Sequence, residues 1–412
     1  MKARLTDKWI YIIAVINAVL WIAVWRVCHT FDSDSYIEAW DNSWSKGIMD
    51  EFRTPICPIF IGIIKTIFGS YFKIACVIVQ YIIFIISIKY FKSTISWKVR
   101  SQTVARWATL FYAIIPATAL WANCLQTESL AISGTVFLFY NLFAFQQTPK
   151  LRYSILVTFW MLFLIMLRPS FLYLIPAITI AWILFYKYSK LLSLYGLIGV
   201  IVVCLLEVGY CMKFKEKYGI FSPSSVSTIN QSWMAFQDGL MDSSYTDNPI
   251  FKDYIVTHNN TVFFTPEMIK KFGVVTVQEA VNKSRHSRPT DWLLHTYLRY
   301  REASSAPLFA AATWCGIITE FIGFSIRALH LFLIIYIIFL FWKMKQCNRL
   351  YRASLIMLIT SIGNLMLIVI GAQGEWGRLL LPSLPLFIIM FGQSFNYIKF
   401  DFNGTTKETD IE

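Results

Sequence analysis

The chain has 412 residues, of which 57% are hydrophobic and 15% are charged, and its formal net charge is +13. Soluble proteins carry about 25% charged residues on average, so this composition excludes a soluble globular protein and indicates an integral membrane protein. The basic residues fall in small clusters between apolar runs, as topology signals do, and this distribution argues against a nucleic-acid partner.

Ten apolar runs predict an all-α polytopic protein with about ten transmembrane helices. The runs cover residues 9–27, 72–90, 103–120, 128–146, 154–168, 169–186, 191–212, 326–343, 353–372 and 379–397. Arg168 and Pro169 separate the fifth run from the sixth, because proline cannot continue a helix and disfavours helical geometry in the preceding residue. If the two runs instead formed one kinked helix, the number of spans would change by one and the orientation of every later span would be reversed.

Lysine and arginine clusters predict the orientation of these helices. If the amino terminus is cytoplasmic, six basic clusters next to the apolar runs lie on the cytoplasmic side: Lys2–Lys8, Lys89–Arg100, Lys150–Arg152, Lys187–Lys190, Lys343–Arg352 and Lys399. The segments left on the outer side are 28–71, 121–127, 213–325 and 373–378. We therefore expect both termini to be cytoplasmic, in a bacterial inner or plasma membrane, and any chemistry to take place on the outer face.

Three parts follow from this topology. They are an N-terminal transmembrane module (1–212) with the first outer loop (28–71), an outer region (213–325), and C-terminal helices with a cytoplasmic tail (326–412). Residues 56–68 are apolar but too short to span a bilayer, which predicts a helix at the membrane interface. Residues 306–325 are interpreted in the same way. Cys28 and Cys57 share the first outer loop and can be bridged in an oxidising compartment.

The first outer loop carries several carboxylates beside an apolar run, where charge is costly and is usually kept for function. Serine and aspartate also cap helices, so a single acidic residue here would indicate only a cap. The loop contains six: Asp32, Asp34, Glu38, Asp41, Asp50 and Glu51. Such a cluster favours a catalytic role for Asp32 or Asp34. Arg53 follows, and it either reaches lipid headgroups or binds a phosphate through its planar guanidinium.

Two more polar islands interrupt apolar sequence. Glu128 opens the fourth run, where the helix macrodipole also favours glutamate, and we predict it to be catalytic. Arg378 lies next to the last run, where an arginine is costly unless it is paired or faces a cavity. The predicted substrate-binding residues are Tyr36, Arg53, Arg168, Glu375 and Arg378. No spacing of ligands indicates a metal site.

The order of these motifs resembles a known superfamily. An Asp-Ser pair with a tyrosine follows the first span, Arg53 opens an Arg-Thr-Pro-x-x-Pro motif, Thr127-Glu128 begins the fourth span, and Arg378 precedes Leu-Leu-Leu-Pro. This layout is similar to the GT-C superfamily of polyprenyl-phosphate-sugar glycosyltransferases, in the branch of protein O-mannosyltransferases and the lipid A aminoarabinose transferase. Cys57 departs from the pattern of that branch, and the region 213–305 shows no pattern of the family.

The resemblance implies a GT-C-like fold with interfacial helices on the outer face, and it implies roles for the residues. The catalytic aspartate of the first loop would be Asp32 or Asp34, the second acidic residue would be Glu128, and Arg53 and Arg378 would contact the lipid phosphate. The implied partners are a polyprenyl-phosphate-linked sugar donor, a glycan, lipid or protein acceptor, and the lipid bilayer. The reaction requires no cofactor, although some branches of the family use a divalent Mg²⁺ or Mn²⁺ ion.

Two other classes of protein share part of this pattern. An O-antigen polymerase or ligase also has many spans, a large outer loop and lipid-linked substrates, and it would depend on His295, Arg299 and Arg301 in that loop. A transporter of lipid-linked glycans would place its ionisable groups near the middle of the membrane and often shows internal repeats. The sequence shows neither feature of a transporter, and we favour the glycosyltransferase.

Overall fold

The computed structural model describes residues 6–28, 31–258, 265–303, 326–344, 348–371 and 376–395. The structure is 86% helical, and no β-strand occurs in these ranges. The predicted all-α architecture is therefore confirmed.

Ten helices come before the outer region. Two of them, α2 and α3, lie in the first outer loop, and the other eight overlap the first seven predicted apolar runs. Their bounds are Asp7–Trp25 (α1), Phe31–Asn42 (α2), Ile56–Phe68 (α3), Phe72–Lys98 (α4), Gln102–Ile114 (α5), Pro116–Ala119 (α6), Glu128–Gln147 (α7), Leu151–Leu167 (α8), Leu174–Phe185 (α9) and Lys190–Tyr218 (α10). Helix α7 packs against α4 and α8 and is the most enclosed, with 94% of its apolar stretch buried. Helix α1 is only 17% buried over that length, as expected for a helix that faces lipid.

The later part of the chain is also helical. Its helices are Val226–Gln237 (α11), Pro249–His258 (α12), Pro266–Phe272 (α13), Val274–Ser287 (α14), Pro289–Ala303 (α15), Ile326–Phe339 (α16), Asn348–Gly371 (α17), Trp376–Leu380 (α18) and Leu384–Ser394 (α19). Short 3₁₀ turns at Leu120–Asn123, Pro169–Tyr173 and Leu381–Ser383 join neighbouring helices. The helix expected at 306–325 lies outside the described residues.

Fewer of the described helices are long and apolar enough to cross a membrane than the ten spans that the sequence predicts. Six helices in the described residues are long and apolar enough to cross a membrane, or seven if the bent pair Gln102–Ile114 and Pro116–Asn123 is one span. Three shorter apolar helices, Leu151–Leu167, Pro169–Phe185 and Ala328–Trp342, coincide with other predicted spans. The chain is thus an integral membrane protein with several spans, six or seven of which are evident in its described residues.

The two ends of the helix bundle carry different polar contacts. At one end, Asp7 at the start of α1 forms ion pairs with Lys92 of α4 and Arg106 of α5. At the opposite end, the Nδ2 of Asn123 donates to the carbonyl oxygen of Arg26, just beyond α1, at 2.9 Å. Asn123 directly precedes the segment that leads to Glu128, and Arg26 directly precedes the first outer loop. Both of these polar segments therefore begin at this second end of the bundle.

The outer region has a hydrophobic core of its own, separate from that of the bundle. Phe236, Phe251 and Phe272 lie in this core, and Met49 and Phe52 of the first outer loop pack against it. Hydrogen bonds strengthen the junction: the Ser225 amide donates to the Glu51 carbonyl oxygen at 2.9 Å, and the Tyr218 hydroxyl donates to the Met49 carbonyl oxygen at 2.7 Å. The loop between α2 and α3 is therefore held from two sides.

Helix α3 lies against α2 through a glycine, and this contact is testable. A Cβ atom on Gly62 would lie 2.0 Å from the indole ring of Trp40. We expect Gly62→Ala to separate α2 from α3 and to lower the stability of the detergent-solubilised protein by about 1–3 kcal/mol, the usual cost of overpacking.

Thermal unfolding measures this effect. The matched control is Gly209→Ala in α10, where an added Cβ would meet nothing within 4 Å. Equal unfolding midpoints for the two variants would contradict the close packing of α2 on α3.

A candidate active site of carboxylates and arginines

Asp32 and Arg53 form the first half of a partly buried polar cluster. Helix α2 begins at Phe31, which places Asp32 in its first turn, where the helix dipole favours a carboxylate. The Arg53 guanidinium donates from Nη2 to Asp32 Oδ1 at 2.7 Å and from Nε to Ser35 Oγ at 2.9 Å. Its Cζ atom lies 4.3 Å from the centre of the Tyr36 ring. The guanidinium is therefore fixed on three sides by α2.

Asp50 determines the backbone conformation that delivers Arg53. Its Oδ1 accepts from the amides of Phe52 at 2.9 Å and Arg53 at 2.8 Å, and its Oδ2 accepts from Ser43 Oγ at 3.0 Å. An aspartate that caps the amides two and three residues ahead stabilises a turn. Asp50 thus positions Arg53, and the sequence did not indicate this role.

Glu128, Arg168 and Arg378 form the second half of the cluster. Glu128 begins α7, and its side chain is only 1% exposed. Arg168 follows α8 and donates from Nη2 to Glu128 Oε1 at 2.6 Å. The Nε of Arg378, on the short helix Trp376–Leu380, lies 3.3 Å from the same oxygen. Glu128 is therefore paired with two guanidinium groups.

Arg378 joins the two halves. Its Nη2 lies 3.3 Å from Asp32 Oδ2, and its Nη1 lies 3.4 Å from Gln126 Oε1. One guanidinium therefore contacts both Asp32 and Glu128, which are far apart in sequence. Five charged side chains from five segments of the chain meet at one end of the helix bundle.

The cluster has more cationic than anionic groups. Three arginines, Arg53, Arg168 and Arg378, face two carboxylates, which leaves a formal charge of +1. Within the described ranges, the buried atoms Arg168 Nη1, Glu128 Oε2 and Thr127 Oγ1 have no hydrogen-bond partner. Buried polar atoms without partners are rare and costly in folded proteins. The cluster therefore offers an N–H donor, a carboxylate acceptor and a hydroxyl group that can donate or accept to a polar, anionic ligand.

The arginines also control the protonation of Asp32. Burial by itself raises the pKa of this carboxyl group, but Arg53 and Arg378 outweigh burial and lower its pKa below the ordinary value of 3.8. Asp32 is consequently a carboxylate at neutral pH, and it is a weak base as long as both arginines contact it.

Some predicted site residues lie apart from the cluster. Asp34 is exposed on α2, because residues two positions apart on a helix do not share a face. Glu375 lies outside the described residues. His295 and Arg299, which an O-antigen polymerase or ligase would use, instead contact Asp238 within the outer region.

The fold of this chain is similar to that of a solved membrane enzyme. No protein-family model matches this sequence, and no curated protein matches it. The structure is similar to the archaeal oligosaccharyltransferase AglB from Archaeoglobus fulgidus, with a TM-score of 0.51 and 11% identity over 94% of this chain and 50% of that chain. AglB is a GT-C superfamily enzyme. The chain has a GT-C fold.

A second structure of the Archaeoglobus fulgidus oligosaccharyltransferase, tethered to an acceptor peptide with an NVT sequon, has a TM-score of 0.47 and 11% identity over 93% of this chain and 49% of that chain. The chain spans about half the length of both enzymes. The similarity to the first of these structures confirms the predicted GT-C resemblance at the level of the fold.

The side chains of this cluster do not suit a divalent cation. No group of three His, Cys, Asp or Glu side chains that could hold a metal ion occurs in the described part of the chain. Asp32 and Glu128 are instead bound by arginines, and a nearby excess of positive charge disfavours a cation. We derive no chemical step through a metal ion.

The contribution of Asp32 to stability has a defined pH dependence. Because its folded pKa is below 3.8, the carboxylate stabilises the GT-C fold above that pH, and the contribution is lost as the pH falls through the lower folded value. We expect Asp32→Asn to destabilise the protein at pH 7 by about 1–3 kcal/mol, because Arg53 and Arg378 lose a charged partner.

Thermal unfolding in detergent between pH 3 and pH 7 compares wild type with Asp32→Asn. The difference between the unfolding midpoints of the two proteins should become smaller as the pH falls below 3.8. Asp34→Asn, on the exposed face of α2, is the control and should match wild type throughout. A difference for Asp32→Asn that is constant over the whole pH range would contradict the ion-paired carboxylate.

Proposed function

We propose that this chain is a membrane glycosyltransferase that transfers a hexose or pentose from a polyprenyl-phosphate donor to an acceptor on the non-cytoplasmic face. The observation that carries the proposal is the cluster of three arginines around two carboxylates, with a buried Arg168 N–H that has no described partner. The GT-C fold supports it, since the AglB structure contains a dolichol-phosphate and an inhibitory peptide. The acceptor is a glycan, a lipid or a protein.

The charge of the cluster suits a lipid-linked phosphate. A phosphate with one lipid ester and one sugar ester carries a single negative charge, which would neutralise the formal +1 of the five side chains. Guanidinium groups bind phosphate oxygens through two parallel hydrogen bonds. When the bond to the sugar breaks, the departing phosphate gains charge, and fixed cations in a site shielded from water stabilise it more strongly than solvent does.

Donor binding would also activate the base. A phosphate bound to Arg53 and Arg378 competes with Asp32 for the same N–H groups. As these contacts weaken, the factors that lower the pKa of Asp32 diminish while its burial remains, so its pKa rises. Asp32 then becomes a better general base. In this scheme the carboxylate accepts a proton efficiently only when the donor is present.

The transfer is a single displacement with inversion at the anomeric carbon. The acceptor oxygen forms a bond to that carbon as the bond from the carbon to the phosphate oxygen breaks. Asp32 takes the proton of the acceptor hydroxyl, and the lipid phosphate departs with its negative charge against Arg53 and Arg378. Glu128 and Thr127 orient the sugar, because each presents a buried oxygen without a described partner.

The position of the cluster would allow the phosphate of a long polyprenyl lipid to reach it. Ten spans with a cytoplasmic amino terminus would place the end of the bundle that carries the cluster at the outer face. Helix α3 is amphipathic and begins three residues after Arg53. Lying in the membrane interface, α3 would border the lipid chain while its phosphate contacts the arginines.

Arg53 and Arg378 should determine affinity for the phosphate group. We expect Arg53→Ala and Arg378→Ala each to weaken binding of undecaprenyl phosphate at least tenfold, and Arg378→Lys to weaken it less, because lysine keeps the charge but loses the paired hydrogen bonds. Titration of the purified variants with undecaprenyl phosphate measures this, and undecaprenol, which has no phosphate, reports the contribution of the lipid tail.

The matched control is Arg288→Ala, because Arg288 forms an exposed ion pair with Asp291 in the outer region. Unchanged affinity for undecaprenyl phosphate in the double variant Arg53→Ala, Arg378→Ala would disprove the phosphate site. An equal loss for undecaprenol would show that the arginines affect the fold or the lipid tail instead.

Asp32 should act on the chemical step. We expect Asp32→Asn to reduce transfer by at least a hundredfold, within the usual range for a general base, while affinity for undecaprenyl phosphate stays the same or increases, because the arginines lose a competing carboxylate. Asp34→Asn should retain transfer.

Release of polyprenyl phosphate from a panel of polyprenyl-phosphate hexoses and pentoses, detected by mass spectrometry with membrane acceptors present, measures the step. Full turnover by Asp32→Asn would remove the aspartate from the mechanism. Loss of turnover in Asp34→Asn alone would transfer the role to Asp34.

A further inference from the structure

Two cysteines from distant parts of the chain lie side by side next to the cluster. Cys28 follows α1, Cys124 precedes Glu128, and the two residues form an isolated parallel β-bridge. The Cys28 amide donates to the Asn123 carbonyl oxygen at 2.9 Å, and the Cys124 thiol is close enough to Cys28 to lower the pKa of its thiol. Cys124 is fully buried and Cys28 is partly buried.

Several contacts maintain this close approach. Asn123 Nδ2 donates to the carbonyl oxygens of Trp21 at 3.0 Å and Arg26 at 2.9 Å, and Gln80 Nε2 donates to the Cys124 carbonyl oxygen at 2.9 Å. Arg26 has a φ of 51°, a conformation that a residue with a side chain rarely adopts. A strained residue is retained where the surrounding structure determines it strongly. The turn after α1 is therefore held in the conformation that brings Cys28 to Cys124.

The bridge joins the two segments that carry the carboxylates. Asp32 lies four residues after Cys28, and Glu128 lies four residues after Cys124. Paired β segments are separated by about 4.8 Å, which is within the range of about 4.4–6.8 Å between the Cα atoms of disulfide-bonded cysteines. A covalent bond here would limit how far Asp32 and Glu128 can move apart.

We propose that Cys28 and Cys124 are joined by a disulfide bond that fixes the segments leading to Asp32 and Glu128. Two S–H bonds break and one S–S bond forms. The two electrons reduce an oxidant of the thiol–disulfide exchange class to its dithiol form, and that oxidant takes up the two protons. The source of oxidant rests on the outward topology given under the proposed function, but the bond is detected without measuring transfer, so either proposal can fail alone.

Cys28 is suited to begin the exchange. The neighbouring Cys124 thiol lowers the pKa of Cys28 to about 7, although burial by itself would raise it. Thiolates are the attacking species in thiol–disulfide exchange, and a thiol with a pKa near the ambient pH reacts fastest. Cys28 is also the more exposed of the two, so an oxidant can reach it first.

The test uses the 412-residue chain, isolated from membranes without reductant and with free thiols blocked by N-ethylmaleimide during lysis. We expect mass spectrometry of the digest to find the Cys28 peptide linked to the Cys124 peptide, and dithiothreitol to separate them. The unfolding midpoint should fall by several degrees after reduction. Cys57→Ser, at a buried cysteine on α3, is the control and should keep both the link and the shift.

Cys28→Ser and Cys124→Ser should each abolish the link and the sensitivity of the midpoint to reduction. Recovery of Cys28 and Cys124 as N-ethylmaleimide adducts from wild type would overturn the disulfide. That result would leave the binding of undecaprenyl phosphate to Arg53 and Arg378 untouched, so it would not bear on the arginine cluster.

Discussion

The contact of one guanidinium with two carboxylates is the interaction on which the rest of this site depends. Arg378 lies 3.3 Å from both Asp32 and Glu128. Glu128 could not remain buried and ionised without a partner, because the loss of hydration of an unpaired charge costs several kcal/mol, and the same cost applies in part to the half-buried Asp32. The first outer loop, the start of α7 and the last helices are thus bound to one another by charge.

The same requirement explains the excess of arginine. A cluster balanced at two arginines and two carboxylates would be complete without a ligand, and its ion pairs would only stabilise the protein. The third arginine leaves a positive charge and a buried N–H on Arg168 without a partner in the described structure. Such a cluster gains stability when an anion binds, and an anion that competes for the arginines changes the basicity of Asp32.

The scaffold supports these charges from segments that carry none of them. Asp50 shapes the loop before Arg53 through two backbone amides, and the core of the outer region packs against Met49 and Phe52 in the same loop. Asn123 connects the end of α1 to the segment before Glu128. Pre-organisation of this kind matters in catalysis, because fixed dipoles and charges need no rearrangement when charge develops.

The sequence by itself determined the class of protein, the helices and most of the candidate residues, because hydrophobic periodicity, proline breaks and costly charges are local signals. It indicated Asp32, Arg53, Glu128, Arg168 and Arg378. Only the tertiary structure showed that Asp32, and not the exposed Asp34, contacts Arg53 and Arg378, since this depends on which face of α2 meets the two arginines. The tertiary structure also placed Cys28 beside Cys124, whereas the sequence had suggested Cys57 as a possible disulfide partner of Cys28. Contacts between segments so far apart depend on how the helices pack together, and spacing along a chain does not contain that information.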